Sequence, residues 1–364
     1  MAEPPASSRP RNRTIFLFLA VLVVGAVLYS LASGRGGGAA SSPAGTSAPA
    51  ATAEKLRIGA LVDHGYSNLL LLAAVKGIFE AKGLDVEIQR LQHSRAALAA
   101  LREGKVDLAV SGDMPLARKA FGDPDLAIVA TIAEEDKQVH VLSRKERGIA
   151  AVADLRGKRV GVVDQEISSY VLGLLLGRHG LSLSDVTVVE MKAKKLAPAL
   201  VADKIDAVAD AFLANHGDIR KLRSTPGLEV VEIKEPSGYR FHVGLATSKA
   251  VLRDRPAAVT RLLEALVAAA DLAKSQRDES AKAVAEALAV EGERVKAEWQ
   301  RLTYEVALRP TFLATLEDEG KWLAANQPAA LGGAAPRYSD IVQTARFEAL
   351  RPAAAPSPTA AVSR

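Results

Sequence analysis

The sequence predicts an α/β protein: two Rossmann-like lobes with a hinged cleft, plus an N-terminal transmembrane helix. Three observations carry this reading. Short apolar strands alternate with helices in the order β-α-β-α-β from Leu56 onward, the same order recurs from Arg159, and an uncharged run from Thr14 to Ala32 follows three arginines. Strand–helix alternation with short connections makes a parallel sheet covered on both faces, with its ligand-facing edge at the C-terminal ends of the strands.

A chain of 364 residues, 49% hydrophobic and 24% charged, can bury a sizeable core and has room for about two domains. With 4% aromatic residues the core must be mainly Ala, Val, Leu and Ile, which suits buried parallel strands. The absence of cysteine excludes disulfides, thiolate zinc sites, iron–sulfur clusters and cysteine nucleophiles. A net charge of +5 invites a nucleic-acid reading, but the basic residues are interleaved with acidic ones. No helix-turn-helix or zinc-finger spacing accompanies them, so no nucleic-acid partner is expected.

Arg9, Arg11 and Arg13 precede the uncharged run, which is near the ~20 residues of a spanning helix and longer than a usual signal-peptide core. Basic residues on that side place residues 1–13 in the cytoplasm, residues 14–32 in the membrane and the rest in the periplasm or outside. The expectation is a single-pass anchor in the cell membrane. Ser30-Leu31-Ala32 resembles a cleavage site and keeps open release to the periplasm. Residues 33–53 are nearly all Gly, Ala, Ser, Pro and Thr, a flexible tether, and residues 351–364 form a similar disordered tail.

Within residues 54–350 the first repeat runs as strand Leu56–Val62, helix Leu69–Ala81, strand Leu84–Ile88, helix Ser94–Arg102 with Ser94 as its N-cap, and strand Val106–Val110. The second runs as strand Arg159–Val163, helix Ser168–Arg178, strand Val186–Glu190, helix Lys194–Ala202 and strand Ile205–Ala209. Letters agree as well as order: Gly104-Lys105-Val106-Asp107 echoes Asp203-Lys204-Ile205-Asp206. Leu126–Ala133, Val139–Ser143, Leu228–Ile233 and Phe241–Thr247 read as separate strands that include the crossings between lobes. Helices follow from Pro256 to Lys274, Glu279 to Leu288, Val295 to Tyr304 and Pro310 to Ala325. Lobe 1 then takes residues 54–135 and 240–350, and lobe 2 takes 140–235.

Three stretches resemble one family. Ala74-Val75-Lys76-Gly77-Ile78-Phe79-Glu80-Ala81-Lys82-Gly83-Leu84-Asp85-Val86, Leu101 to Ala109, and Gly148-Ile149 with Asp154 to Val162 are similar to solute-binding proteins of the nitrate, sulfonate, taurine and thiamine-pyrimidine group. The resemblance spans most of Leu56 to Ala325 and implies a type II periplasmic-binding-protein fold. It also implies capture of a small molecule and delivery to an ABC permease and ATPase. A membrane-tethered sensor or accessory protein is the alternative.

The same resemblance turns the loop Asp63-His64-Gly65-Tyr66-Ser67-Asn68 toward the cleft, with Tyr66 against a planar solute and Ser67 and Asn68 as contacts or helix caps. Ser111, Gly112 and Asp113 end the third strand, where Gly112 admits a ligand to the backbone and Asp113 also suits a cap. In lobe 2, Gln165, Ser168 and Ser169 stand at a strand-to-helix junction, and Asp210 at the end of a strand faces the cleft. Tyr239 and Arg240 follow a Pro236-Ser237-Gly238 turn, with Arg240 either on the ligand or paired to a surface carboxylate. Glu134-Glu135-Asp136 reads as a solvated loop. The rim carboxylates Asp63, Asp113, Asp164, Glu166 and Asp210 favour a nitrogenous cation or neutral solute over an anion.

The six histidines show no HxH or HExxH spacing, and no nucleophile elbow or Walker loop is present. No catalytic residue, metal or cofactor is therefore expected. A pyrimidine-synthase branch shares the resembling fold, but it relies on a cysteine-rich motif and iron, and this chain has no cysteine.

Overall fold

Two long antiparallel strands decide the architecture, because each belongs to both lobes. The computed structural model describes residues 53–350 except 64, 164–165, 213–216 and 227. The anchor, the tether, the tail, His64, Asp164 and Gln165 lie outside the described residues, as does the side chain of Glu166. Among the described residues no helix is long and apolar enough to cross a membrane.

The chain begins with β1 (Glu54–Ala60), α1 (Asn68–Val75), α2 (Ile78–Ala81), β2 (Leu84–Arg90), α3 (Ser94–Arg102), β3 (Leu108–Gly112) and α4 (Asp113–Ala120). The long strand β4 (Leu126–Arg144) crosses to β5 (Arg159–Val163), α5 (Glu166–Arg178), β6 (Thr187–Met191), α6 (Ala193–Val201), β7 (Ala207–Asp210) and α7 (Gly217–Arg220). The second long strand, β8 (Val230–Ser248), returns to α8 (Lys249–Asp254), α9 (Pro256–Ser275), α10 (Arg277–Leu288), α11 (Gly292–Arg301), α12 (Pro310–Asn326) and α13 (Thr344–Leu350). The sheet order is β2-β1-β3-β8-β4-β7-β5-β6, a single eight-stranded sheet. β1 pairs in parallel with β2 and β3, β5 in parallel with β6 and β7, and the antiparallel β4–β8 ribbon joins the two groups.

The four strands expected around the crossings are thus two, and the gaps between them are paired. The acidic triplet Glu134-Glu135-Asp136 is strand, not loop, and so is the segment expected to turn at Pro236-Ser237-Gly238. The turn chemistry survives as a bulge. Asp136 pairs with Arg240 and Gln138 with Pro236, so Lys137 alone faces Ser237, Gly238 and Tyr239. Gly238 takes φ +76°, and Ser237 Oγ stitches the bulge by donating to Lys137 O at 2.7 Å and accepting from Tyr239 N–H at 3.0 Å.

Other differences have local causes. The helix expected over Leu69–Ala81 breaks at Gly77, which adopts φ +66°. The N-cap of α3 is His93, whose ring accepts from Ala96 N–H, while Ser94 Oγ accepts from Gly112 N–H at 3.1 Å. α5 begins at Glu166, before the serines.

The internal repeat is real in its interactions. Arg57 donates to Asp107 through its backbone N–H at 2.8 Å and its guanidinium at 3.3 and 2.9 Å. Arg159 donates to Asp206 in the same way at 2.8, 3.0 and 2.9 Å. Each bidentate pair locks the start of β1 or β5 to the segment entering its parallel neighbour, β3 or β7. Gly104 and Asp203, aligned in the repeat, both take left-handed φ, +67° and +61°.

The Asp206 carboxyl is held down to about 2, chiefly by its hydrogen bonds from Arg159. A depressed carboxyl contributes stability above its unfolded value of 3.8 and loses it as the pH falls through about 2. Asp206→Asn should therefore destabilise the protein at neutral pH by about 1–3 kcal/mol and flatten the acid limb of its stability between those values, as read by urea unfolding against pH.

Candidate functional site

The middle of the β4–β8 ribbon is where the lobes meet, and its alternation decides what faces inward. Along β4 the residues 135, 137, 139 and 141 point to the interior, while 136 and 138 are exposed. Lys137 is consequently buried, with 2% of its side chain exposed. Its Nζ donates to Glu135 Oε2 at 2.8 Å and lies 4.0 Å from the centre of the Phe212 ring and 5.1 Å from that of Phe241. Burial pulls the Lys137 ammonium down to about 8, against the opposing attraction of Glu135. Arg301 of α11 pairs with the same Glu135 oxygen and hydrogen-bonds Tyr66.

Around this cation stands an aromatic seam in a chain only 4% aromatic. Phe241 of β8 touches Tyr66 at 5.2 Å between centroids and Phe212 edge-on at 5.5 Å. Tyr170 of α5 reaches from lobe 2 onto Tyr239 of β8 and Trp322 of α12, each at 5.8 Å and edge-on. Gly112 serves this seam: a Cβ there would stand 2.9 Å from the Phe241 ring. The glycine expected to admit a ligand admits Phe241.

The structure distributes the other expected site residues unevenly. The Asp63 side chain is 56% exposed and lies 3.5 Å from Arg90. Tyr66 is in the seam, as expected. Ser67 and Asn68 are fully buried and neither caps α1 through its side chain: Ser67 Oγ accepts from Leu61 N–H at 2.9 Å, and Asn68 Nδ2 donates to Tyr304 Oη at 2.9 Å and Glu298 Oε2 at 3.2 Å. They hold the loop that carries Tyr66. Ser111 Oγ donates to Gly112 O at 3.0 Å. Asp113 is fully buried and accepts from Met114 N–H, His242 N–H and Tyr239 O–H.

In lobe 2, Ser168 and Ser169 are buried on the first turns of α5, and Ser169 donates to Glu190 at 2.6 Å. Asp210 accepts from Phe212 N–H at 2.8 Å, which aims Phe212 over Lys137. Tyr239 and Arg240 part company, as neighbours on a strand must. Tyr239 is buried, whereas Arg240 lies on the outer face, bonded to Asp136 at 2.7 and 3.1 Å. The acidic triplet is answered by cations: Glu134 by Arg309, Glu135 by Lys137 and Arg301, Asp136 by Arg240.

Lys137, Arg301, Tyr170, Phe241 and Trp322 were not singled out by motif, and Glu135 was read only as part of a solvated acidic loop. A signal existed for two of them: continuing the period-2 alternation of Val139 and Val141 back through the acidic triplet places Lys137 and Glu135 inside. Two open grooves of about 500 and 450 Å³ lie elsewhere, between α10 and α11 and beside α6, and contain no seam residue.

Known proteins carry the same architecture. The periplasmic aliphatic sulphonate binding protein SsuA from Escherichia coli superposes with a TM-score of 0.64 at 19% identity, over 82% of this chain and 98% of that one. This match shows the α/β periplasmic-binding-protein fold. A putative binding protein of Brucella abortus is 25% identical over 247 residues, 67% of this chain and 74% of its own. The 4-amino-5-hydroxymethyl-2-methylpyrimidine phosphate synthase of Schizosaccharomyces pombe is 30% identical over 142 residues, 39% of this chain and 40% of its own. Residues 65–280, more than half of the sequence, match the family described as NMT1/THI5 like, and the chain belongs to that family.

Proposed function

We propose that this chain is an extracytoplasmic solute-binding protein that captures a small molecule at the β4–β8 seam and hands it to an ABC permease and ATPase. One observation carries the reading: Lys137, a buried cation, stands at the joint of the two lobes, roofed by Phe212 from lobe 2 and Phe241 from the crossing strand. Burying an ammonium disfavours folding by several kcal/mol, so its place between two lobes points to use rather than to stability. The sulphonate-binding neighbour and the Brucella relative support solute capture on this fold. With the run at residues 14–32 as an uncleaved anchor, the binding domain stays at the outer face of the cell membrane.

The geometry also bears on the solute. Three of the five rim carboxylates are engaged elsewhere: Asp63 faces solvent and Arg90, Asp113 accepts from Tyr239 and His242, and Asp210 accepts from Phe212 N–H, while Asp164 and the Glu166 side chain lie outside the described residues. Lys137 points inward with aromatic rings beside it. We therefore favour a solute with an acidic or strongly accepting group for Lys137 and a flat or apolar part for Tyr66, Phe212 and Phe241. We read the chain as a carrier rather than an enzyme, because Lys137, Glu135 and Arg301 are engaged with one another and leave no nucleophile–base pair aimed at a reacting atom.

A thermal-shift screen of sulfonates, nitrate, pyrimidines, polyamines and amino acids on the whole chain tests capture. A true solute at about 100 times its Kd adds about 2.7 kcal/mol to stability. Saturable stabilisation by one class is the expected result, and none from any class removes the proposal.

Lys137→Met should weaken an acidic solute at least tenfold by titration calorimetry while raising the melting temperature of the solute-free protein. The pH dependence has a definite sign. The unfolded chain holds the Lys137 proton up to about 10.5 and the folded chain only to about 8, so stability from this group rises with pH between them. Affinity for an acidic solute runs the other way and falls as the pH climbs through about 8.

A further inference from the structure

On the lobe 1 side of the seam, two carboxyl groups and a phenol meet in the interior. Asp113 of α4 and Glu319 of α12 are fully buried, and Tyr239 of β8 is nearly so. Tyr239 Oη lies 2.5 Å from Asp113 Oδ1 and 3.1 Å from Glu319 Oε1. A phenol has one proton to donate. The shorter contact, to Asp113, takes it, because that carboxylate also accepts the N–H groups of Met114 and His242 at 2.9 and 2.8 Å. The contacts of Glu319 with the phenol oxygen and with Asp113 then need a proton on Glu319 itself.

A second observation agrees. Glu319 Oε2 and both ring nitrogens of His242 are buried without a hydrogen-bond partner, and His242 Nδ1 stands 3.4 Å from Asp113 Oδ2 outside hydrogen-bond geometry. Among the described residues no lysine or arginine side chain hydrogen-bonds either carboxyl, so an ionised Glu319 would be an unpaired charge in the interior.

We propose that Glu319 is a proton-holding positioning residue: its neutral carboxyl ties α12 to α4 and β8, and losing that proton loosens the seat on which lobe 2 closes. The seat is Trp322, one helical turn beyond Glu319, together with the Tyr239 ring, and Tyr170 of lobe 2 rests on both. The groups around Glu319 are Asp113 from α4, Tyr239 and His242 from β8, Asp318 from α12 itself, Tyr338 from the turn at Tyr338–Asp340 and Tyr170 from α5. Lys137 of β4 acts on Asp113. Burial first, then the charge of Asp113, raises the Glu319 carboxyl well above its ordinary value. A raised group contributes its stability fully below the unfolded carboxylate value and loses it as the pH rises through the folded one.

The inference rests on the solute-capture reading only for its consequence, that capture weakens in alkaline medium. The latch itself is tested without solute. In the full chain carrying Trp299→Phe, Trp322 is the sole tryptophan, and its emission reports the seat. As the pH is raised above the ordinary carboxylate range, the emission should shift once to longer wavelength as the seat opens. Glu319→Gln, neutral and still a donor, should abolish the shift, and Asp113→Asn should move its midpoint downward. A flat profile in the parent, or the same transition in Glu319→Gln, overturns the proposal. Hydrogen exchange on the unaltered chain decides the matter independently of any variant: protection of α12 should fall relative to α9 as the pH rises, and a constant ratio overturns it.

Discussion

The antiparallel pairing of β4 with β8 is the constraint on which the rest depends. Two 19-residue strands carry the chain out of lobe 1 and back into it, and together they join the two parallel groups into one eight-stranded sheet. Because the pleat alternates strictly, one register places Glu135, Lys137 and Val139 inside and Asp136 and Gln138 outside. The bulge opposite Lys137 makes room there, since three residues of β8 answer one of β4. Register and bulge together put a charged side chain and the Tyr239 phenol at the joint without an irregular loop.

The lobes are built by one recipe used twice. The Arg57–Asp107 and Arg159–Asp206 pairs join guanidinium, backbone N–H and carboxylate in the same pattern, and the residues at Gly104 and Asp203 share a left-handed turn. Repeats seen in the letters are therefore repeats of hydrogen bonding, which explains why short matches such as Lys105-Val106-Asp107 and Lys204-Ile205-Asp206 survive where the rest diverges. The acid at each match is the strand lock.

This division also explains what could be read from sequence. The β-α-β units, the long C-terminal helices and the α/β class follow from local periodicity and were legible. The continuity of β4 was not, because three acids in a row look like a solvated loop until their partners Arg240, Arg301 and Arg309, far along the chain, are known. Likewise the neighbours of Ser67, Asn68 and Gly112 are not written in the residues around them. These three residue types suit a cap, a ligand contact or a structural anchor equally well, and only the distant Tyr304, Glu298 and Phe241 decide among these. Residues whose function lies in a partner remote in sequence are silent in a local reading.

The nesting of β5 to β7 between the two long strands has a consequence for how the chain acquires its shape. Lobe 2 is contiguous, so its strands can assemble as soon as residues 145–229 have emerged. The lobe 1 sheet waits for β8, because β3 has no neighbour on that side until Val243 to Thr247 arrive. Folding that begins at the N-terminus thus leaves a half-sheet with an open edge while lobe 2 forms, the arrangement that slows non-local pairing and exposes unpaired strands to other chains. For this topology the vulnerable interval is the time between synthesis of β3 and closure by β8.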